Sequence, residues 1–529
     1  MAPLATISNS LPDAAGQILD SIELQFKLDD VVLTRITTQF LQEIAKGLAE
    51  YGQAMAIIPT FITAVPSGKE KGTFLALDLG GTNLRVCEVK LNGDHTFSLR
   101  QQKYKVSDKL KTGEATALFD YLADSVDAFL TSTEASDAPE GEDLPLGLTF
   151  SFPVEQTALD SGHLLTWTKG FAARNAVGHD IVKLLQDAFN RKHLHVKCVA
   201  LVNDTVGTLL SQSYTAGGSL LGAIFGTGTN GAYIEDLSKL TKLKDETLKS
   251  SGGKMIVNAE WGAFNNSRST LPTTPFDNIL DRMSINPRFQ AFEKFVSGMY
   301  LGEITRNILL ALIDAAPKPL LFNGRVGSGV LNKHYGLDTA VMSNVEVAWA
   351  GEKPKAEPTE DVYGVADKLA ALHLGDFDVA KLSESQRQRL ERVKKVILHD
   401  LGFEQNPEDV SLKDAAIVRW ACTLVAERAA KLSGCAVAAI LVHTGCASLG
   451  TDEGIKRKEY VNANGKISVG VDGSLIQFYP NFETQLRDSL GRLIGKKVEQ
   501  AVEIGLAKDG SGVGAALGAL IATKASSTL

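Results

Sequence analysis

Cysteine is scarce in this chain: Cys87, Cys198, Cys422, Cys435 and Cys446 are the only five in 529 residues, and no two form a CxxC pair. An odd, scattered set argues against a disulfide framework and against zinc, and fits reduced thiols in a cytosolic protein. Basic charge is also in deficit. Lys and Arg number 54 against 62 Asp and Glu, a formal net charge of −8. That balance lacks the broad basic surface that nucleic acid or an anionic membrane would need. Any phosphate must then be held locally, by backbone amides and a few placed cations. No apolar run approaches the roughly twenty residues that cross a bilayer. The opening MAPLATISNS has no basic flank and meets Asp13 before any continuous apolar stretch, so no signal peptide is read there. A soluble, cytoplasmic protein without nucleic-acid or membrane partners is expected. Also missing are the GxxxxGK[ST] loop of Walker-type NTPases and the HRD and DFG motifs of protein kinases.

What is present is ordinary for a globular enzyme: 44% apolar and 22% charged residues. The length exceeds what one core supports, so two or more domains are expected. From about 14 to 54 the apolar residues Leu19, Ile22, Phe26, Leu33, Ile36, Phe40, Ile44 and Leu48 recur at helical steps, ending at Ile57-Ile58-Pro59. Residues 131–145 and 351–364 have the polar composition of solvated surface loops. Beyond Ser383, Leu390, Val393, Ile397 and Leu401 keep helical spacing, and a further helix covers 415–432. Strands and helices alternate throughout, which makes the class α/β.

One local pattern occurs twice. Residues 73–91 read TFLALDLGGTNLRVCEVKL and residues 219–237 read SLLGAIFGTGTNGAYIEDL. Each is a buried strand, a Gly-rich turn with Thr and Asn, and a returning strand. Glycine admits an anion to the turn amides without Cβ interference. A single such turn is most often just a hairpin. Two matching copies point to related half-domains facing one nucleotide. Asp78, at its strand end, is a hard oxygen ligand able to hold Mg²⁺ through water.

Other strands end in polar groups. LGLTFSFP carries Ser151 and leads to WTKGF with Thr168 and Lys169; HVKCVALVND ends in Asn203 and Asp204 before a helical run. Strand ends beside helix starts are where α/β sheets place ligands. Asp204 reads as the N-cap of that helix, a role compatible with accepting the proton of an attacking hydroxyl. Glu260 in NAEWGAF and Glu293 at the start of a helical run complete a set of acceptors and donors suited to a polyhydroxylated ligand.

Taken together, LGGTNLRV, LTFSFP, WTKGF, VNDTVGTL, GTGTNGAYIE, EWGAF, FEKFVSGMYLGEI and GVDGSL resemble the eukaryotic hexokinase family, in the family's order and over residues 20 to 525. PVEQTALDSG looks closer to the fungal glucokinase branch than to the fungal hexokinase branch. The resemblance implies a two-lobed actin-like ATPase fold of ribonuclease-H-like cores, with the active site in the interlobe cleft. It implies a helical segment 1–69 on the large lobe, a small lobe 70–204, a large lobe 205–500 and a C-terminal segment 501–529 returning to the small lobe. It implies MgATP-dependent phosphorylation of the 6-hydroxyl of glucose, with mannose next and fructose behind, by a monomer or homodimer.

By the same resemblance the sugar pocket is Ser151, Thr168, Lys169, Asn203, Asp204, Asn230, Glu260 and Glu293, with Asp204 as base and Lys169 assisting the phosphoryl group. The nucleotide side is Asp78, Gly80, Gly81, Thr82, Asn83 and Arg85, then Gly226, Thr227 and Gly228, then Thr339 and Ser343, then Gly470, Asp472, Gly473 and Ser474. Two stretches depart from the family: Leu475-Ile476-Gln477-Phe478-Tyr479-Pro480 lacks a basic pair, and Val345-Glu346-Val347-Ala348-Trp349 replaces an acidic continuation. An actin- or Hsp70-like ATPase and a sugar sensor without catalysis are the rival readings. The first leaves WTKGF, VNDT and EWGAF unexplained, and the second sits poorly with Asp204 and Lys169.

Overall fold

The N-terminal periodicity is two helices, Ala14–Phe26 and Asp30–Ala49. They part because Asp29 turns its carboxylate onto the Val32 amide at 2.8 Å, starting a new helix where the 14–54 pattern read as continuous. In this computed structural model the described residues are 14–80, 83–133, 143–167, 170–244, 253–351, 377–462, 464–507 and 509–526. The 131–145 loop shrinks from both sides, since the helix Ala115–Thr133 runs into it and a strand starts at Leu144. Most of the 351–364 insertion lies outside the described residues. The helix Glu384–Asp400 begins at a Ser383/Gln386 capping box, and the one expected over 415–432 extends over Leu412–His443.

Contacts divide the chain into two compact units. One comprises Met1–Leu33, Ser267–Gly434 and Phe478–Asp488, and its described regular elements are helical. At its centre Arg428, 1% exposed, grips Asp277 through two bonds of 2.7 and 2.8 Å and stacks over Phe26 and Phe295. Such a buried pair holds only because both ions are hydrogen-bonded.

The other unit comprises Thr34–Asn266, Cys435–Gln477 and Ser489–Leu529, and it contains all the described strands. In chain order these are β1 Ile58–Pro59, β2 Lys71–Leu79, β3 Asn83–Asn92, β4 Phe97–Lys105, β5 Leu144–Phe150, β6 Val154–Ala158, β7 Ser161–Leu164, β8 Val196–Val202, β9 Leu221–Phe225, β10 Thr229–Asp236, β11 Lys254–Asn258, β12 Ile467–Asp472 and β13 Val502–Leu506. One sheet has the order β4-β3-β2-β5-β8, and another β1-β11-β10-β9-β12-β13. In each, three antiparallel strands form a meander whose first member pairs with a parallel strand, and that strand pairs in turn with a second parallel one. The order 3-2-1-4-5 thus occurs twice: the two related halves expected from the paired Gly-rich turns are present, as the ribonuclease-H-like cores implied by the resemblance would have them.

The helix after each fifth strand crosses to the other sheet. Asp204–Ala216, which follows β8, packs on β9 and β12, while Gly510–Ser526, which follows β13, packs on β2, β5 and β8. The two helices also lie on each other. A Cβ added to Gly514 would fall 2.0 Å from the Gly207 Cα, so only glycine lets the backbones approach this closely. Leu75, Leu77, Leu146 and Leu148 fill the first sheet's other face against Leu118, Phe119 and Leu122. Among the described residues, no helix is long and apolar enough to cross a membrane.

Candidate active site

Asp78 lies one residue from the end of β2, opposite Thr149 of β5, and is 3% exposed. Its Oδ2 accepts from the Ser511 hydroxyl at 2.8 Å and pairs with the Arg85 guanidinium at 2.7 Å. Burial pushes its carboxyl above the usual range; Arg85 and Ser511 pull it down, and the charge of Asp204 pushes it up. Ser511 is itself fixed, because its carbonyl takes the Thr149 hydroxyl at 2.8 Å. Arg85, expected on the nucleotide, here pairs with Asp78 and also donates to the Ser511 hydroxyl at 3.2 Å. The Gly80 amide bonds the Asn83 carbonyl across the turn at 3.1 Å, and Asn83 is exposed. Gly81 and Thr82 lie outside the described residues.

Asn203 and Asp204 divide the work at the next helix start. The side chain of Asn203 takes the Thr205 amide at 3.0 Å and the Thr205 hydroxyl at 2.6 Å, which makes Asn203 the N-cap and Asp204 the first helical residue. The expected capping role of Asp204 therefore moves one residue back. The Asp204 carboxylate meets only the adjacent Thr205 amide among the bonds described, and its charge is felt at both Asp78 and Asp472.

In the second turn the Gly226 amide bonds the Gly228 carbonyl at 3.0 Å, and Thr227 is exposed. Gly473, at φ +116°, backs onto this turn, where a Cβ would sit 2.5 Å from the Phe225 carbonyl. The GTGT and VDGS segments are thus brought together by glycine. Gly470 is buried in β12, and Ser474 is exposed at the start of a short helix. The Oδ1 of Asp472 accepts from the Gly473 amide and from Gln477, each at 2.7 Å. Burial raises the Asp472 carboxyl, opposed by the Gly473 amide and reinforced by Asp204.

A third cluster joins Asn230, Asn258 and Glu260. Asn230 donates to the Asn258 Oδ1 at 2.8 Å, and Asn258 donates to the Glu260 Oε1 at 2.7 Å. Asn203 and Asn258 line one cavity, together with Thr60, Phe152 and Gln156. Ser151 follows β5, half-buried. Thr168 and Lys169 lie outside the described residues. The neighbouring Trp167 belongs to an aromatic cluster with Phe150, Phe152 and Phe171.

Glu293, Thr339 and Ser343 belong to the other unit. Glu293 sits on the short helix Ala291–Val296, which stops at Ser297 before Gly298–Ile313 begins, so its helical run is two helices. The Thr339 hydroxyl is taken up by the Gly298 carbonyl at 2.6 Å and the Gly302 amide at 2.9 Å. Ser343 donates to the Phe478 carbonyl at 3.3 Å.

Ser511 and Asn258 received no role from the sequence. Ser511 sits in DGSG, in the first turn of the helix Gly510–Ser526 that follows β13, a glycine-rich strand-to-helix passage that could have drawn notice; Asn258 opens NAEWGAF, two residues before its glutamate. Among the described residues, no group of three or more His, Cys, Asp or Glu is arranged to grip a metal ion. Asp78 is a hard oxygen donor of the kind Mg²⁺ accepts, with Ser511 and Arg85 on its Oδ2.

Two family models, both described as Hexokinase, match residues 18–214 and, in two stretches, 220–370 and 367–521. The glucokinase of Aspergillus niger is 38% identical over 98% of this chain and 98% of its own length. Glucokinase-1 of Saccharomyces cerevisiae is 36% identical over 96% of this chain and 98% of its own. A solved hexokinase from Schistosoma mansoni complexed with glucose superposes with a TM-score of 0.76 at 33% identity, covering 97% of this chain and 100% of that one. An actin- or Hsp70-like identity is set aside by matches of this length. The twice-built sheet, the paired glycine turns and the near full-length likeness agree, and the chain belongs to the hexokinase family.

Proposed function

We propose that this chain transfers the γ-phosphoryl group of ATP to the 6-hydroxyl of D-glucose, giving glucose 6-phosphate and ADP. The observation that carries this reading is the division of labour at Asn203-Asp204: with Asn203 capping the helix, the Asp204 carboxylate is left to take the O6 proton as O6 attacks phosphorus. Ser151, Asn203, Asn230, Glu260 and Glu293 hold the sugar hydroxyls, joined by Thr168 and Lys169. The backbone amides of the two turns receive the phosphates, and the Gly473–Phe225 contact fixes the second turn for that role. Mg²⁺, when bound, offsets charge on the phosphate oxygens. Asp78 would hold it through water, oriented by Ser511 and Arg85. The scarce, unpaired cysteines suit a cytoplasmic enzyme, and its expected state is a monomer or homodimer.

An assay coupling hexose 6-phosphate formation to NADP⁺ reduction tests the reaction. Glucose and mannose are expected to exceed fructose clearly in kcat/KM, because a site built on specific hydroxyls rejects a displaced one. Comparable values for fructose would remove the specificity. ATP hydrolysis without sugar phosphate would remove the function.

A further inference from the structure

Asn258 ends β11 and is 5% exposed, opposite Ala232 of β10 and Ile58 of β1. Both ends of its amide are in use. Oδ1 accepts from the Asn230 Nδ2 at 2.8 Å and from the Glu260 amide at 3.3 Å, while Nδ2 donates to the Glu260 Oε1 at 2.7 Å. The Asn230 Nδ2 also lies 3.3 Å from that same carboxylate oxygen, and the Asn230 Oδ1 accepts from the Gly231 amide at 2.8 Å. Glu260 itself stands at φ +52°, a region non-glycine residues occupy only when the surroundings hold them there.

We infer that Asn258 is a positioning residue for the sugar, acting through Glu260 and Asn230; this rests on the reading of those two as sugar ligands. The geometry asks for a side chain of this length that accepts from one neighbour and donates to the other. At this length an amide does both at once, from two separate atoms and without charge. Aspartate keeps the length and the acceptor, but it turns the donor facing Glu260 into a second carboxylate oxygen. Leucine fills the space and leaves Asn230 and Glu260 without their buried partner. By fixing Glu260 Oε1 and Asn230 Nδ2, Asn258 sets which edges of the two ligands face the sugar hydroxyls, and discrimination among hydroxyls depends on that orientation.

A double-mutant cycle on glucose affinity, read by titration calorimetry on the full chain, separates positioning from mere packing. Asn258→Asp should raise the glucose Kd about ten-fold or more, the scale of a lost hydrogen bond to a charged group. The KM for ATP should stay within about two-fold, because the Asn258 side chain bonds Asn230 and Glu260 and neither phosphate turn. In a Glu260→Gln background the same substitution should change the glucose Kd by less than about two-fold, since the two act as one unit. Asn258→Ser, smaller and uncharged, should show the same coupling with a smaller single effect, and it serves if the aspartate variant does not fold. Additive effects, or a wild-type glucose Kd in folded Asn258→Asp beside a weakened Glu260→Gln, would overturn the inference. A Glu260→Gln variant with undiminished glucose affinity would instead overturn the assignment of Glu260 to the sugar.

Discussion

The two sheets share one topology, yet their strand ends do different chemistry. In the first, β2 ends in a charged knot of Asp78, Arg85 and Ser511. At the matching point of β9 stands Ile224, and its parallel neighbour contributes Asp472. The turn that follows β9 carries no charge and is shaped by Gly226 against Gly473. A duplicated scaffold thus supplies two glycine-rich turns, and divergence of a few side chains places charge beside one and shapes the other by backbone contact alone. The acidic groups still sense each other across this divide. Asp204, heading the helix that follows the first sheet, raises both Asp78 and Asp472.

The largest break in that comparison comes at Asp204. Asp204→Asn keeps the side-chain shape and leaves Asn203 to cap the helix, so the melting temperature should hold while kcat falls about 10²–10⁴-fold, the usual worth of a general base. Asn203→Ala is the structural counterpart, with about 1 kcal/mol of lost capping. Near wild-type turnover in folded Asp204→Asn would send the search for the base elsewhere. Next comes the shape-built turn. A Cβ on Gly226 would meet the Gly473 Cα at 2.9 Å. Gly226→Val should therefore raise the KM for ATP about ten-fold or more while the glucose Kd moves less than two-fold. Equal loss of both affinities would make this glycine structural only.

The smallest effect concerns Asp472. A carboxyl whose folded-state value lies above its unfolded one weighs against folding at neutral pH, and that cost fades as pH falls through the folded value. Asp472→Asn keeps the Oδ1 that accepts from Gly473 and Gln477. It should raise the sugar-free melting temperature at pH 7 by an amount worth less than about 1 kcal/mol, given solvent screening. The advantage should shrink in acid. A variant less stable than wild type at pH 7 by calorimetry would show that the charge helps the fold.

Much of this was legible because strands and turns are local. The two Gly-Thr-Asn hairpins, the strand into Asn203 and the helix after it follow from contiguous residues, and the repeated hairpin announced two related halves, though not their strand order. What escaped depends on partners far away in the chain. Nothing near Asp78 announces Ser511, 433 positions away, and Asn258 gains meaning only when β10 and β11 set Asn230 beside it. The Asp204 cap was misplaced by one residue because Asn and Asp are equally good N-caps, and only the backbone angles choose between them. The break at 27–29 was missed for a similar reason: apolar spacing continues through a kink that one carboxylate makes.

The exchanged helices have a consequence for how the protein is made. During synthesis the strands β2, β5 and β8 leave the ribosome early, but the helix that covers their face, Gly510–Ser526, emerges far later. The first sheet therefore waits through the synthesis of more than three hundred residues (from Val202 to Gly510) with one apolar face bare. Domains normally fold as units in N-to-C order, and exposed strand surface is the usual route to aggregation. Here completion of the earliest-made sheet waits until residues 510–526 have emerged. A nascent chain arrested before residue 510 would carry a sheet that only a chaperone, or a second chain's final helix, could shield.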